Sequence, residues 1–334
     1  MAIIRNNQAP PPAIALIGCG LVAGGGDWPQ TPPTTHMAAL AALGLKNSVR
    51  VFDISSQTGQ AFAKKWDLPA PAQSIHELLS QPTQLVIVTS PPDERMALLR
   101  EIILHKPLKA LVIEKPIVRS AAEIDTIKEI LSRPDVGCWV PYIRTWVKGL
   151  NKWKHVIARG ELGEFVGGFA TYGKGLRNNG SHLLAMLFNL VGYPVSAQTG
   201  GKIADSREDD PTFHLRLSYP KNTMISVLGL DHRNFSHLSA TLYFTSGRLD
   251  IDQGGRQISW SQASPDKIYP GYQSLSTPTV EDSAFDDHFI NFYADVLTGL
   301  TTDETSGGNL DAVIRLTQFC DRLVEGQTTR GQHE

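Results

Sequence analysis

Hydrophobic and polar positions follow two regimes along the chain, and the change falls near Tyr142. Before it, short apolar runs alternate with segments of helical period. Ala13–Gly18, Ser48–Asp53, Gln84–Thr89, Ala110–Glu114 and Val136–Val140 read as strands. Runs with little polar interruption suit strands covered on both faces, as in a parallel sheet. Helical segments intervene at Thr35–Leu43, Ser56–Trp66, Ser74 through Ser80, Asp93–His105, and Ser120 to about Ser132. Ser74 with Glu77 and Ser120 with Glu123 have capping-box spacing, and Gly44 closes the first helix. This alternation predicts an α/β domain over residues 1–141.

After Tyr142 a helix is expected at about Val147–Arg159. Phe165–Tyr172, Phe213–Tyr219, Thr223–Leu230, Leu238–Thr245 and Gln257–Trp260 then follow as β-rich segments with hairpin-like spacing. They predict an α+β domain over 142–334 with a largely antiparallel sheet. Ala284–Thr298 and Asn309–Val324 read as closing helices, able to pack back on the first domain. Asp205–Pro211 and Ser264–Glu281 read as surface loops.

Composition narrows the class. Of 334 residues, 41% are hydrophobic and 19% charged, so both halves can build cores. The net charge of −2 argues against a nucleic-acid binder. Cys19, Cys138 and Cys320 lie far apart and lack metal-ligand spacing, which suits free thiols in a reducing compartment. The opening residues do not read as a signal peptide, and their apolar run is too short to span a membrane. The expectation is a cytoplasmic protein with a small-molecule substrate and no metal, nucleic-acid or membrane partner.

The first strand runs into Gly18-x-Gly20-x-x-Ala23, with Leu21 and Val22 between the last two positions. Gly18 permits a tight turn, Gly20 lets backbone approach a pyrophosphate, and Ala23 keeps the next segment close to the sheet. Asp53 ends the second strand, where a carboxylate accepts hydrogen bonds from an adenosine ribose and repels a 2′-phosphate. No arginine follows it in Asp53–Gly59, so NAD is favoured over NADP. Gly24–Thr35 is longer than a normal strand-to-helix connection. It reads either as a flap beside the pyrophosphate or substrate, or as a tolerated surface insertion.

Two clusters carry candidate chemistry. Glu114-Lys115-Pro116 ends a predicted parallel strand, the edge at which open α/β sheets bind ligands. Lys115 can hydrogen-bond a substrate oxygen there, or be a surface lysine before a turn. Within Tyr172–Gly192, Asn178 precedes His182 by four residues, and a helix is expected from near Gly180. In its first turn the helix dipole keeps His182 neutral and able to accept a proton. Asn178 as a helix cap and His182 as a core histidine are the alternatives.

This ordered set resembles the glucose–fructose oxidoreductase/inositol dehydrogenase (Gfo/Idh/MocA) family. The matching pieces are GxGxxA, Asp53, TSPPDER at Thr89–Arg95, EKP at Glu114–Pro116, PYIRTW at Pro141–Trp146, GELGEF at Gly160–Phe165 and the His182 helix. The resemblance implies a Rossmann domain, then a domain with an open, mostly antiparallel sheet, and hydride transfer at a carbinol carbon of a sugar or cyclitol. It adds Thr89, Ser90, Pro91, Glu114 and Lys115 to the cofactor contacts. It makes Lys115 the substrate-polarising lysine and His182 the acid/base, with Asn178 orienting its ring. The family's usual aspartate is replaced by Asn178, a frequent aspartate by Ala185 and a frequent loop histidine by Arg95. Candidate substrate contacts are Arg144, Tyr172, Lys174, Arg177 and His232, with Asp231 or His237 equally placed beside the last. Lys174 and Arg177 read either as anion binders or as solvated loop charge. An open sheet face needs cover, so a homodimer or homotetramer is expected through alternating residues of Phe213–Tyr219 and Thr223–Leu230. Rival readings are redox-neutral sugar chemistry with retained NAD, and a non-catalytic NAD-binding protein.

Overall fold

Every residue of β1 (Ile14–Ile17) is buried, and the same holds for two strands later in the chain, which is the condition for a sheet covered on both faces. The computed structural model describes residues 10–26, 31–205, 208–301, 307–326 and 329–330. The first unit contains residues up to Pro141 together with Phe289–Ile314. Its elements are β1, α1 (His36–Ala42), β2 (Val49–Phe52), α2 (Ser56–Trp66), α3 (Ile75–Leu79), β3 (Leu85–Val88), α4 (Arg95–Ile103), β4 (Ala110–Ile113), α5 (Ile124–Ile130) and β5 (Gly137–Trp139). The strands pair in parallel in the order β2-β1-β3-β4-β5. The chain winds outward both ways from β1, so the switch point lies between the ends of β1 and β3.

The C-terminal segment of this unit closes the β5 edge. Cys138 N donates to Gly307 O at 3.1 Å, and Asn309 N donates to Cys138 O at 3.1 Å. The Asn309 side chain accepts from Val140 N at 2.8 Å and donates to Val140 O at 2.9 Å. The buried Trp139 ring occupies space that a Cβ at Gly137, Gly299 or Gly307 would fill, and its indole N–H donates to Asp295 at 2.9 Å.

Between β1 and α1 a helix-like hydrogen-bond register is kept across an excursion of the chain, of which residues 27–30 lie outside the described residues. Residues 21–24 turn, and then His36 N donates to Val22 O at 3.2 Å and Met37 N to Ala23 O at 2.9 Å. Each bond spans fourteen residue steps where an α-helix uses four, so ten residues are surplus to the helical register. Gly25 is required at the exit, because a Cβ there would lie 2.0 Å from Cys19 O. Thr35 caps α1 by accepting from Ala38 N at 3.3 Å. Trp66 Nε1 donates to Gly24 O at 3.0 Å and ties the excursion to α2. We expect deletion of residues 24–33 to leave a folded protein with Tm lowered by roughly 2–12 °C, the cost of an orphaned indole N–H. Thermal melting followed by circular dichroism checks this. An unfolded deletion variant would show that the segment belongs to the core.

Ser74 caps α3, while Glu77 reaches Gln73 N at 2.7 Å. The second expected capping box does not form. Ser120 makes no cap bond, because a 3-10 turn over Ala121–Glu123 precedes α5 and Glu123 accepts instead from Arg119 N and Nε.

The second unit contains Tyr142–His288 and the residues from Arg315 onward. It holds α6 (Lys148–Ala158), β6 (Phe165–Gly173), α7 (Ser181–Val191), β7 (Ser196–Ile203), β8 (Thr212–Ser218), β9 (Met224–Leu230), β10 (Ser239–Phe244), β11 (Gly247–Asp252), β12 (Gln257–Pro265), β13 (Gln273–Leu275) and β14 (Thr279–Asp282). Of the closing helices, α8 (His288–Gly299) belongs to the first unit after its first residue and α9 (Leu310–Val324) spans the division at Ile314, while β15 (Thr329–Arg330) pairs with β7. Among the described residues the sheet order is β13-β12-β11-β10-β6-β9-β8-β7-β15, with β14 on β12. The sheet is mixed: β6 and β9 pair in parallel and the other neighbours are antiparallel.

Ser264–Glu281 is not simply a loop, since β13 and most of β14 lie there. Their residues are largely exposed and polar, so they lack the alternation that marks a half-buried strand. β7 and β11 also went unread; β7 is polar, carries two glycines and breaks register between Thr199 and Lys202. Alternate positions of the two segments expected to supply an oligomer face divide between core and surface. Leu215, Leu217, Ile225 and Val227 are buried, whereas Val166, Phe169 and Leu228 are the half-exposed apolar residues of the central strands. Among the described residues no helix is long and apolar enough to cross a membrane.

Candidate functional site

In the first unit, Gly18 leaves β1 with φ +90°, and its N–H donates to Phe52 O at 2.9 Å. A Cβ there would lie 2.9 Å from Thr89 Oγ1 and 3.0 Å from Ser90 N, so glycine is required by conformation and by space. Thr89 Oγ1 donates to Gly18 O at 2.7 Å and ties the ends of β1 and β3. Gly20 differs: nothing lies within 4 Å of its would-be Cβ, and Leu21 and Val22 beside it are exposed while Ala23 is buried. This is bare backbone open to a close ligand.

Asp53 is held by two backbone donors, Cys19 N at 2.7 Å and Ser55 N at 2.8 Å. It lines a cavity of about 220 Å³ together with Ser56, Gln60, Pro71 and Gln73. That lining has one carboxylate and no arginine or lysine. Burial, with Asp53 beside it, pushes the Cys19 thiol up to about 12, so this cysteine is an inert packing residue. Ser90 keeps a buried hydroxyl without a hydrogen-bond partner among the described residues, and Pro91 next to it is exposed. Bare Gly20 backbone, an orphaned Ser90 hydroxyl and an oriented Asp53 fit a dinucleotide: pyrophosphate at the first, ribose at the last.

Arg95 lies beneath the same edge, 1% exposed. Its guanidinium donates to Glu114 O at 2.6 Å and to Ser90 O and Pro116 O, so one cation ties the ends of β3 and β4. Burial lowers it to about 10, with Glu114 opposing that shift. Lys115 is half-buried, and its backbone N–H donates to Glu114 Oε2 at 3.0 Å. Sequence reasoning missed His36 and Tyr293. His36 is fully buried, with Nδ1 2.6 Å from Tyr293 Oη and Nε2 3.0 Å from Glu114 Oε1.

In the second unit the catalytic candidates lie on one continuous helical run. A π-helix over Gly175–Gly180 leads directly into α7, with Gly180 and Ser181 in right-handed helical conformation. His182 is therefore not in a free first turn, and the dipole argument does not apply to it. The run begins seven residues earlier, where Asp210 accepts from Arg177 N at 2.7 Å and Asn178 N at 3.0 Å. Asn178 is likewise no N-cap but lies inside the run. His182 is 8% exposed and packs on Tyr142, with ring centroids 5.2 Å apart. Asn178 and His182, four residues apart, share one side of the helix.

The candidate substrate contacts divide. Tyr172 is fully buried, and its hydroxyl donates to Phe213 O at 3.0 Å and accepts from Phe213 N at 2.9 Å. Arg177 is tied to Asp321 and to Asp209 O. Arg144 donates to Gly254 O at 2.8 Å and lies over the Phe285 ring, and burial with Arg256 nearby lowers it to about 10. These three hold the fold, and the contact role expected of them is withdrawn. Lys174 is exposed in the left-handed region at φ 69°. His232 is partly exposed, with Nδ1 3.2 Å from Asp205 Oδ2. Burial alone would raise the Asp205 carboxyl, but hydrogen bonds from Thr212, Lys174 N–H and His232 hold it below its ordinary value. Asp231 pairs with Arg233, and His237 Nε2 lies 3.1 Å from Ser239 Oγ.

A parallel sheet with a glycine turn and an acidic second-strand terminus at its switch point defines a dinucleotide-binding Rossmann domain. Residues 13–142 match the model of the Gfo/Idh/MocA oxidoreductases, described as an oxidoreductase family with an NAD-binding Rossmann fold, and the first domain is of that family. No match was found among curated protein sequences. Among solved structures, levoglucosan dehydrogenase in complex with NADH and L-sorbose is 13% identical with TM-score 0.73, over 95% of this chain and 98% of that one. An NAD-binding oxidoreductase from Klebsiella pneumoniae is 14% identical with TM-score 0.74, over 96% and 99%. A super-repressor mutant of Gal80p from Saccharomyces cerevisiae is 10% identical with TM-score 0.76, over 96% and 98%. At these identities the likeness shows the shared fold.

Proposed function

We propose that the protein is an NAD-dependent dehydrogenase or ketoreductase acting on a CH–OH group of a sugar, sugar derivative or cyclitol. The observation that carries this reading is the switch-point cradle of Gly18, Gly20, Ser90 and Asp53, with Lys115 at the end of the adjacent β4. When bound, the nicotinamide cofactor supplies or takes up the hydride. Gly20 backbone and Ser90 hold the pyrophosphate side, and Asp53 orients the ribose. Lys115 holds the substrate oxygen and stabilises negative charge on it. His182 moves the hydroxyl proton, with Asn178 orienting its ring. Lys174 and His232 serve as substrate contacts. Sugars, sugar acids, inositols and nucleotide sugars screened for cofactor reduction test the reading. Accumulation of NADH with any of them supports it, and redox-neutral product formation overturns it.

Asp53 carries a separate expectation. NADH binds at least roughly tenfold more tightly than NADPH, about 1.4 kcal/mol. Fluorescence titration of both reduced cofactors measures this. Equal affinities would remove Asp53 from its role.

A second reading, a non-catalytic NAD-binding regulator, is favoured by one observation. Gal80p, which shares the fold, is described as a transcriptional regulator. Asn178 in place of the family's usual aspartate suits that reading as well. NADH binding without turnover of any substrate class distinguishes it.

A further inference from the structure

The geometry points to His36 and Tyr293 as positioning residues that act on Lys115 through Glu114. Three buried side chains lie in a row: Tyr293 Oη is 2.6 Å from His36 Nδ1, and His36 Nε2 is 3.0 Å from Glu114 Oε1. His36 and Tyr293 are fully buried and Glu114 is nearly so. A neutral imidazole has one donor and one acceptor, so this row runs in a single direction. Its sense follows from the ends. At one end an ionised carboxylate can only accept, and at the other burial, with Glu114 nearby, holds the Tyr293 phenol well above its usual range, so it keeps the proton it offers to His36. His36 Nδ1 accepts that bond, and the ring proton sits on Nε2 and is donated to Glu114. Glu114 accepts at both oxygens, from His36 at Oε1 and from Lys115 N–H at Oε2.

The consequence is mechanical. Glu114 has two side-chain oxygens and one carbonyl, and all three are engaged: by His36, by Lys115 N–H and by Arg95. The backbone from which the Lys115 side chain departs is thereby fixed. A fully satisfied buried network is stiff, and losing one member leaves another unpaired. Tyr293 stands 257 residues from His36, so the C-terminal part of the first unit takes part in aiming Lys115, far earlier in the chain.

This inference rests on Lys115 as the residue that meets the substrate oxygen, so its test includes readouts that need no turnover. Nitrogen-15 NMR of histidine-labelled protein should show His36 as the Nε2–H tautomer. A Nδ1–H tautomer reverses the chain and overturns the proposal. In Tyr293→Phe, the rate of reductive methylation of Lys115, read by peptide mass spectrometry, should change by roughly threefold or more while other lysines keep theirs. An unchanged Lys115 rate means that the network does not position it. Where a substrate has been found, Tyr293→Phe should lower kcat roughly five- to tenfold with KM and NADH affinity nearly unchanged, the expected effect of losing one hydrogen bond. His36→Gln, which can still donate to Glu114, should retain more activity than His36→Leu, and equal loss in the two variants would overturn the proposal. A silent substrate screen sinks the functional reading alone, because the tautomer and the labelling rate are read without substrate.

Discussion

Replacing His182 with alanine is expected to lower turnover by roughly 10²–10⁴-fold while NADH affinity changes by less than about twofold. His182 projects from the first turn of α7, in the second unit, whereas the dinucleotide cradle is built wholly from first-unit residues. On the proposed reading its loss removes the group that moves the hydroxyl proton, without touching Gly18, Gly20 or Asp53. Lys115→Ala should also impair turnover, with some loss of cofactor affinity, because Lys115 adjoins the cradle. Asn178→Asp supplies the pH arm. A negative charge four residues away on the same helical side favours imidazolium and raises the His182 pKa. A base that must be neutral is then protonated up to a higher pH, so the acidic limb of the pH–rate profile moves upward. An unmoved limb would mean that the two side chains do not communicate, and wild-type turnover in His182→Ala would remove it from the chemistry.

Arg95→Met is expected to lower Tm by roughly 6–20 °C, from a loss of about 3–5 kcal/mol. Methionine fills much of the same space but donates nothing. Three carbonyls, of Ser90, Glu114 and Pro116, lose the donor they share, and Glu114 loses a nearby cation. Each buried orphan costs about 1–3 kcal/mol, though the chain end-loops can relax part of that. Arg95→Lys restores the charge but not the fork that reaches two strand ends, so it should recover only part of the loss. A Tm within about 2 °C of wild type in Arg95→Met, measured by calorimetry, would show that the loops hold themselves without it.

How much of this was legible in the sequence depends on the range of each interaction. The central strands were readable because Ile14–Ile17, Leu85–Val88 and Ala110–Ile113 are buried on both faces and so apolar throughout. Gly18 and Asp53 were readable because their reason is local: a turn, and a strand end. The π-helix over Gly175–Gly180 was not, since two glycines and two asparagines in six residues read as loop. What makes it helical is Asp210, more than thirty residues away in sequence. Tyr172 and Arg177 looked like site residues for the same reason. A tyrosine or arginine near a motif carries no mark of its partner, here Phe213 and Asp321. His36 went unremarked because the excursion ahead of α1 hides its place, and Tyr293 because a single tyrosine in an amphipathic helix reads as packing.

The discontinuous first unit has a consequence for how the protein is made. A ribosome delivers Trp139 and the β5 edge long before Asp295, Gly299, Gly307 and Asn309, the residues that enclose them. Ile314, the last residue of that unit, follows Pro141 by 173 positions. At about 5–20 residues per second, roughly 9–35 s of translation separate the two. Through that interval the nascent Rossmann sheet presents an unpaired edge and a bare indole, the kind of surface that holdase chaperones bind and that neighbouring nascent chains on a polysome can pair with.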